Sequence, residues 1–161
     1  MRALVIYYSL SGNSRAVATA LANALGADIE EIRCSRYAPG IWGALKAGYD
    51  SVRGKLPPIA PPTHSASRYE LVVIGGPIWA SHPATPVRSY LQREKARLPT
   101  VAFLLTHGGS AAAQALHEME QLAQQRPKAT LVVREADIKS GGFNSAITAF
   151  AGALRKASAA A

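Results

Sequence analysis

Apolar residues along the chain fall into short continuous runs, separated by longer stretches in which they recur every three or four positions. Short continuous runs are typical of buried strands, and the longer periodic stretches are typical of helices with one buried face. The runs predict four strands, at residues 3–8, 71–74, 100–105 and 130–134, and residues 28–32, in which Ile29 and Ile32 alternate imperfectly, are expected to form a fifth. The periodic stretches predict five helices, at residues 13–25, 40–53, 86–97, 110–125 and 144–156.

This regular alternation of strand and helix predicts an α/β protein with a parallel sheet covered by helices on both faces. No internal repeat or composition change marks a second domain, so residues 1–161 are expected to form one domain. In open sheets of this kind, ligands bind beyond the carboxyl ends of the strands, near the point where the strand order reverses. Residues 9–14, 77–82 and 106–109 each follow a strand end, and we expect them to converge on one site.

The segment after the first predicted strand is rich in hydroxyl groups and reads Ser9-Leu10-Ser11-Gly12-Asn13-Ser14. It leads directly into a helix, so unpaired backbone N–H groups and the positive end of the helix dipole lie beside the serines. Such a turn suits a phosphate group, and the alternative is an ordinary helix N-cap made by one serine. The segment lacks the lysine and spacing of a P-loop and is not the glycine fingerprint of dinucleotide-binding proteins.

In this setting the segment resembles the phosphate loop of flavodoxin-type FMN-binding proteins, and the resemblance runs from Met1 nearly to the last helix. Two other segments share the resemblance. One is Gly75-Gly76-Pro77-Ile78-Trp79-Ala80-Ser81, followed by Pro83 and Pro86, and the other is Thr106-His107-Gly108-Gly109. The resemblance implies a flavodoxin-like fold, with three layers and a doubly wound, five-stranded parallel sheet of strand order 2-1-3-4-5.

The resemblance also implies FMN as a noncovalently bound cofactor, and it assigns three groups of binding residues. The phosphate would be held by the first loop, which comprises Ser9, Leu10, Ser11, Gly12, Asn13 and Ser14. The flavin ring would lie between a second loop and a third loop. The second loop comprises Pro77, Ile78, Trp79, Ala80 and Ser81. The third loop comprises Thr106, His107, Gly108 and Gly109. No catalytic residue and no metal ligand are assigned.

Two residues of the second loop bear on how the flavin would behave. Trp79 is expected to lie against the ring, because an aromatic face stacks well on it, and the alternative is a buried core tryptophan. Members of the family often have glycine at the position of Ala80, where it lets a peptide flip when the flavin is reduced. Alanine would hinder that flip.

Four other side chains have chemistry to consider. His107 is interpreted equally as a charged group near the ring and as a neutral loop residue, whereas His82 is expected to be neutral and hydrogen-bonded. Trp42 is expected to serve helix packing, and Cys34 is expected to be inert at a strand end.

Composition narrows the class of protein. The chain has 161 residues, one cysteine and a formal net charge of +8. It has no apolar run of membrane-spanning length, and residues 3–8 are too short for the core of a signal peptide, so a cytoplasmic protein is expected. Its basic residues are scattered along the chain, and nucleic-acid binding is not expected.

Two functions remain open at this point. The first is an electron-transfer protein, although its charge is opposite to that of the typically acidic carrier flavodoxins and would favour a redox partner with an acidic surface. The second is an FMN-dependent NAD(P)H:quinone-type oxidoreductase, in which the small residues after Gly109 leave the ring open to a small-molecule acceptor such as a quinone. A receiver-like signalling domain is excluded because the first strand ends without an acidic pair.

Overall fold

Parallel strands form the central sheet in the computed structural model, which describes residues 1–159. The strands are β1 (Ala3–Tyr7), β2 (Asp28–Glu31), β3 (Leu71–Trp79), β4 (His82–Pro83), β5 (Thr100–His107) and β6 (Thr130–Arg134). The two-residue β4 pairs antiparallel with the end of β3, and the five parallel strands lie in the order β2-β1-β3-β5-β6. Without β4 this is the predicted order 2-1-3-4-5, and the predicted fold class is confirmed.

Helices cover both faces of the sheet. They are α1 (Asn13–Leu25), α2 (Ile41–Val52), α3 (Thr85–Glu94), α4 (Ala113–Ala123), α5 (Glu135–Ser140) and α6 (Asn144–Ala159). Residues of α1 and α6 share one apolar core with the sheet, and residues of α2, α3 and α4 contribute to the core on the other face. The central strands are therefore buried on both sides, which explains why they are apolar at every position rather than at alternate ones.

Strand β3 extends five residues beyond its predicted end at residue 74. Gly75, Gly76 and Pro77 continue the pairing with β5, in which Pro77 lies opposite Thr106. The prediction ended the strand here because glycine and proline usually break strands. Glycine has a packing role at residue 75, since a Cβ atom there would lie 2.2 Å from the carbonyl oxygen of Leu104. Residues 77–79 of the second loop therefore belong to the rigid sheet.

Two helices also differ from their predictions. Helix α4 begins at Ala113 rather than at residue 110, and the connection at residues 134–144 contains the short helix α5. A stretch of six helical residues is too short for apolar periodicity to reveal it. Helices α3 and α6 agree with their predictions to within a few residues at each end, and α1 agrees at both ends.

Helix α2 lies in its predicted place but with an unexpected orientation. Its inward residues are Ala47, Asp50 and Ser51, whereas its large apolar side chains point to solvent. Trp42 is among the exposed residues, so the expectation that it serves helix packing is wrong. Apolar periodicity predicts a helix but not which side faces the sheet, because polar contacts can hold the inner face. In the part of the chain that the structure describes, no helix is both long enough and apolar enough to cross a membrane.

Candidate functional site

The three loops predicted to converge do meet, because β1, β3 and β5 are adjacent strands and end at the same edge of the sheet. One hydrogen bond ties the first loop to the third, with the hydroxyl oxygens of Ser14 and Thr106 2.7 Å apart. Both residues are buried, and 92 positions of sequence separate them. The bond fixes the start of α1 against the end of β5, so the candidate site rests on a rigid base.

The first loop turns sharply at Gly12, whose φ of 97° lies in the left-handed region that glycine adopts readily. The hydroxyl oxygen of Ser9 accepts hydrogen bonds from the N–H groups of Gly12 (3.1 Å) and Arg15 (3.2 Å). Ser9 therefore stabilises the turn and the first turn of α1 with its side chain. The alternative of capping by one serine describes Ser9, while Ser11 stays exposed and makes no side-chain hydrogen bond within residues 1–159.

Backbone N–H groups at the start of α1 remain available for a ligand. Those of Ser11, Asn13 and Ser14 have no hydrogen-bond partner among the described residues. They lie at the amino end of α1, where the helix dipole favours negative charge. Space is also open at Gly12, since a Cβ atom built there would have no atom within 4 Å. The loop therefore has the donors, the field and the room that a phosphate group requires.

The nearest basic side chain of α1 is already paired. One guanidinium nitrogen of Arg15 donates to both carboxylate oxygens of Glu31, at 2.9 and 3.0 Å. This pair lies on the surface between α1 and β2. Attraction for an anion at the first loop would therefore come mainly from backbone N–H groups and the helix dipole.

The second loop ends in a two-residue hairpin turn formed by Ala80 and Ser81. Both residues have left-handed backbone angles, with φ of 48° and 69°, as primed hairpin turns require. Alanine in this conformation costs roughly 1 kcal/mol relative to glycine. The turn is closed by pairing of Trp79 with His82, and the hydroxyl of Ser51 donates to the carbonyl oxygen of Trp79 at 2.7 Å.

Trp79 lies half-buried against two tyrosines. Its ring centre is 5.6 Å from that of Tyr8 and 5.0 Å from that of Tyr37, and both contacts are edge-to-face. Such pairs stabilise by about 0.5–1.5 kcal/mol beyond the area they bury. The indole is thereby held in one orientation beside the first loop, which follows Tyr8. Contact between Trp79 and a flavin ring stays a prediction.

Beneath Trp79 lies a polar network that sequence reasoning missed. The buried carboxylate of Asp50 accepts hydrogen bonds from the hydroxyl of Tyr37 (2.9 Å) and a guanidinium nitrogen of Arg36 (3.1 Å). The Tyr37 hydroxyl also lies 2.6 Å from the hydroxyl of Thr85. The bonds from Arg36 lower the pKa of Asp50 below its usual value, against the opposing effect of burial. This network anchors α2 to the segment after β2 and to the start of α3 through polar contacts.

The third loop leaves one unusual polar atom. Nδ1 of His107 is buried and has no hydrogen-bond partner within residues 1–159, whereas Gly108 and Gly109 beside it are exposed. Buried polar atoms in proteins are nearly always paired. His107 therefore presents an unsatisfied nitrogen at the same sheet edge as the free N–H groups of the first loop.

His82 has a different environment from His107. Its Nδ1 lies 2.7 Å from one carboxylate oxygen of Glu118, and Nε of Arg88 lies 2.7 Å from the other, at an angle too bent for a hydrogen bond. The expected hydrogen-bonded histidine is present, and its partner in α4 could not be identified from the sequence. No three His, Cys, Asp or Glu side chains among the described residues are placed to hold a metal ion.

Cys34 also lies where the sequence placed it, after the end of β2. It packs half-buried against the core, and burial raises the pKa of its thiol. A thiol with a raised pKa forms little of the reactive thiolate near neutral pH.

A separate cavity of about 260 Å³ lies between β2 and residues 59–64, which include Pro61 and Pro62, and no residue of the three loops lines it. Tyr90 of α3 reaches this cavity from inside the core. Its hydroxyl is buried and has no hydrogen-bond partner within residues 1–159, and burial raises its pKa. The phenol therefore keeps its proton and contributes an unsatisfied polar group to the core.

Tyr90→Phe is expected to raise the free energy of unfolding by about 1 kcal/mol, because it removes an unpaired buried hydroxyl and keeps the ring. Urea denaturation at neutral pH measures the effect. Tyr37→Phe is the matched control, since the hydroxyl of Tyr37 is paired twice and its loss should lower stability. A stability loss in Tyr90→Phe as large as in the control would show that the Tyr90 hydroxyl is bonded.

A doubly wound α/β sheet with unpaired N–H groups in the turn after its first strand is the architecture of many nucleotide-binding proteins. The model of the flavodoxin family matches residues 2–142, so this chain belongs to the flavodoxin family. No curated protein sequence matches the chain.

Solved structures similar to the chain are flavoproteins and flavodoxins. A flavoprotein from Lactobacillus acidophilus in complex with FMN is 21% identical, with a TM-score of 0.71 over 86% of this chain and 97% of that one. A WrbA-like flavodoxin from Agrobacterium tumefaciens is 12% identical, with a TM-score of 0.64 over 97% and 96%. Two-electron reduced flavodoxin from Megasphaera elsdenii is 16% identical, with a TM-score of 0.59 over 94% and 98%. At these identities the likeness shows a shared fold.

Proposed function

We propose that this protein binds FMN at the edge where the three loops meet and acts in electron transfer. The observation that carries the proposal is the set of unpartnered N–H groups at Ser11, Asn13 and Ser14, locked by the bond between Ser14 and Thr106. Membership of the flavodoxin family and the FMN complex of the Lactobacillus acidophilus protein support it. The same proposal places the protein in the cytoplasm, where a lone thiol such as Cys34 stays reduced.

The first loop would bind the phosphate through its backbone. Hydrogen bonds from N–H groups to a charged oxygen are worth roughly 1.5–3 kcal/mol each, so three of them hold a dianion firmly. The exposed Ser11 hydroxyl would add a fourth donor. Ser9 and Ser14 would act indirectly, since their hydroxyls are used within the protein to fix the loop.

The second and third loops would hold the ring. Trp79 offers an aromatic surface oriented by Tyr8 and Tyr37, and His107 at the opposite loop has a buried Nδ1 with no partner among the described residues. When bound, FMN supplies one- and two-electron redox chemistry. The protein binds and orients the cofactor and sets its electrostatic surroundings.

Titration with FMN tests the proposal. Binding is expected to quench flavin fluorescence and to change the tryptophan emission, because Trp79 lies at the proposed ring site. Trp79→Phe should keep the flavin quenching in part and lose most of the change in tryptophan emission. Unchanged flavin and tryptophan fluorescence in the wild-type protein, at FMN concentrations up to the millimolar range, would refute FMN binding.

A second candidate is direct reduction of a small acceptor by NAD(P)H. Gly108, Gly109 and Ala111 are exposed, so the third loop leaves room beside the proposed ring site, and the net charge of +8 attracts anionic dinucleotides. A steady-state assay with NADPH, a quinone and FMN, without an added reductase, separates the two functions. Rapid turnover supports the enzyme, and absence of turnover supports an electron carrier with a partner protein.

A further inference from the structure

The outer face of α2 carries an apolar stripe, defined by Ile41, Trp42, Leu45, Tyr49 and Val52. These side chains are 73%, 81%, 60%, 59% and 67% exposed. Their spacing places them along one side of the helix over its whole length, and the exposed Leu56 follows it. Single exposed apolar residues are ordinary, but a continuous stripe of this size marks a surface that contacts another phase or molecule.

The orientation of the stripe is fixed by the contacts of the opposite face. Asp50 binds Arg36 and Tyr37, and Ser51 donates to the carbonyl oxygen of Trp79. Turning α2 to bury its apolar side would break this buried network. The helix is therefore held with its apolar side outward by polar bonds that point inward.

The charged side chains exposed on α2 and directly after it have a single sign. Lys46, Arg53 and Lys55 are exposed on α2 or just after it, and the guanidinium of Arg53 lies over the ring of Tyr49, 5.5 Å from its centre. Asp50 is the one acidic residue of sequence between residues 32 and 69, and it is buried and bound to Arg36. A molecule that binds this surface would therefore contact apolar side chains flanked by positive charges.

This combination argues against a second copy of the chain. An isologous contact through α2 would bring Lys46, Arg53 and Lys55 of both copies to the same interface, with no exposed acid from α2 to balance them. A protein partner would also need hydrogen bonds at the interface, about one per 100–200 Å². The apolar stripe offers only two polar side-chain atoms, the indole nitrogen of Trp42 and the Tyr49 hydroxyl, and the hydroxyl already accepts a hydrogen bond from Arg53.

We propose that the apolar stripe of α2 binds the surface of an anionic lipid bilayer. A helix with tryptophan and aliphatic side chains on one side and flanking cations lies in the membrane interface, where apolar burial and attraction to anionic headgroups add together. No directional partner is needed, and the convex helix fits a deformable surface. The net charge of +8 adds to the attraction.

Lipid binding would also position the candidate redox edge. Ser51 of α2 bonds to Trp79 at the second loop, so a bilayer against α2 would lie next to that loop. Acceptors dissolved in the membrane would then be within reach, a consequence that rests on the proposed function. The lipid contact itself needs no flavin.

Sedimentation with phospholipid vesicles tests this proposal on the full chain. Wild-type protein is expected to bind vesicles containing phosphatidylglycerol at least about tenfold more tightly than vesicles of pure phosphatidylcholine. Trp42→Ser with Leu45→Ser should weaken that binding at least about tenfold, since both side chains leave the apolar stripe. Ile29→Ser with Val132→Ser is the matched control, because it removes two exposed apolar side chains elsewhere and should leave binding unchanged.

Tryptophan emission, FMN affinity, the thermal midpoint and the molecular mass in solution distinguish lipid binding from flavin binding and from dimerisation. The vesicle-induced blue shift of tryptophan emission should disappear in Trp42→Phe, which retains Trp79. FMN affinity and the thermal midpoint should be unchanged in the Trp42→Ser, Leu45→Ser protein, so loss of lipid binding is distinguishable from loss of flavin binding. Equal binding by this variant and the wild type would overturn the proposal. So would a wild-type dimer that this variant converts to monomer, or failure of the wild type to bind anionic vesicles at low salt.

Discussion

Replacing Ser11 by aspartate is expected to weaken FMN binding by about 100- to 1,000-fold, because a carboxylate near the phosphate repels it by about 4 kcal/mol at 4 Å and an effective dielectric of 20. Riboflavin lacks the phosphate, so its binding should change by less than about threefold. Ser11 is exposed and makes no side-chain hydrogen bond among the described residues, so the substitution removes no contact within the protein and only the proposed hydroxyl donor to the phosphate. Fluorescence titrations with the two flavins measure both affinities.

Folding can be followed in the same variant. An aspartate at the start of α1 interacts favourably with the helix dipole. The free energy of unfolding of the Ser11→Asp variant should therefore equal that of the wild type or be slightly higher. Ser67→Asp is the matched control, since Ser67 is exposed in the turn before β3, at the opposite edge of the sheet. A control that weakens FMN binding equally, or equal losses for FMN and riboflavin, would place the phosphate outside the first loop.

Removing the carboxylate of Asp50 is expected to lower the free energy of unfolding by about 3 kcal/mol at neutral pH, because a buried ion pair loses one member. Asp50→Ala breaks the bonds from Arg36 and Tyr37, although Arg36 is partly exposed and can be hydrated. Urea denaturation measures the change. Asp137→Ala is the control, since Asp137 is exposed on α5 and its carboxylate makes no hydrogen bond within residues 1–159.

The difference in free energy of unfolding between the wild type and Asp50→Ala should depend on pH, and its direction follows from the pKa of Asp50. The pKa of Asp50 is lower in the folded protein than its usual value of about 3.9 in an unfolded chain. The unfolded chain therefore takes up the proton first as the pH falls, and the stabilisation is complete above about pH 5. It is lost as the pH falls through the lowered pKa of the folded state. The stability of Asp50→Ala should approach that of the wild type in acid, and a constant difference down to pH 3 would contradict the role of the charge.

Sequence reasoning worked best where a signal is local. Apolar runs predicted four of the five parallel strands, and periodic stretches predicted the main helices, because side-chain direction depends only on neighbouring backbone geometry. The first loop was found for the same reason, since its serines, Gly12 and the start of α1 are adjacent in sequence. Its resemblance to flavodoxins then supplied the strand order, which the family and the fold confirm.

Local rules failed where glycine and proline occur inside the sheet. Gly75, Gly76 and Pro77 usually end a strand, yet β3 continues through them because Leu104 of the neighbouring strand approaches closely. That neighbour is distant in sequence. Its approach could not be inferred before the strands were placed side by side.

The sequence by itself determined the class of fold, the element order and the position of the first loop, since each depends on residues close together in the chain. Tertiary structure alone decided which side of α2 faces outward, which partner holds each buried polar group, and that Ser14 bonds to Thr106 while His107 keeps a free nitrogen. These are contacts between residues tens of positions apart. Their free energies depend on burial and pairing, which exist only once the sheet has brought the segments together.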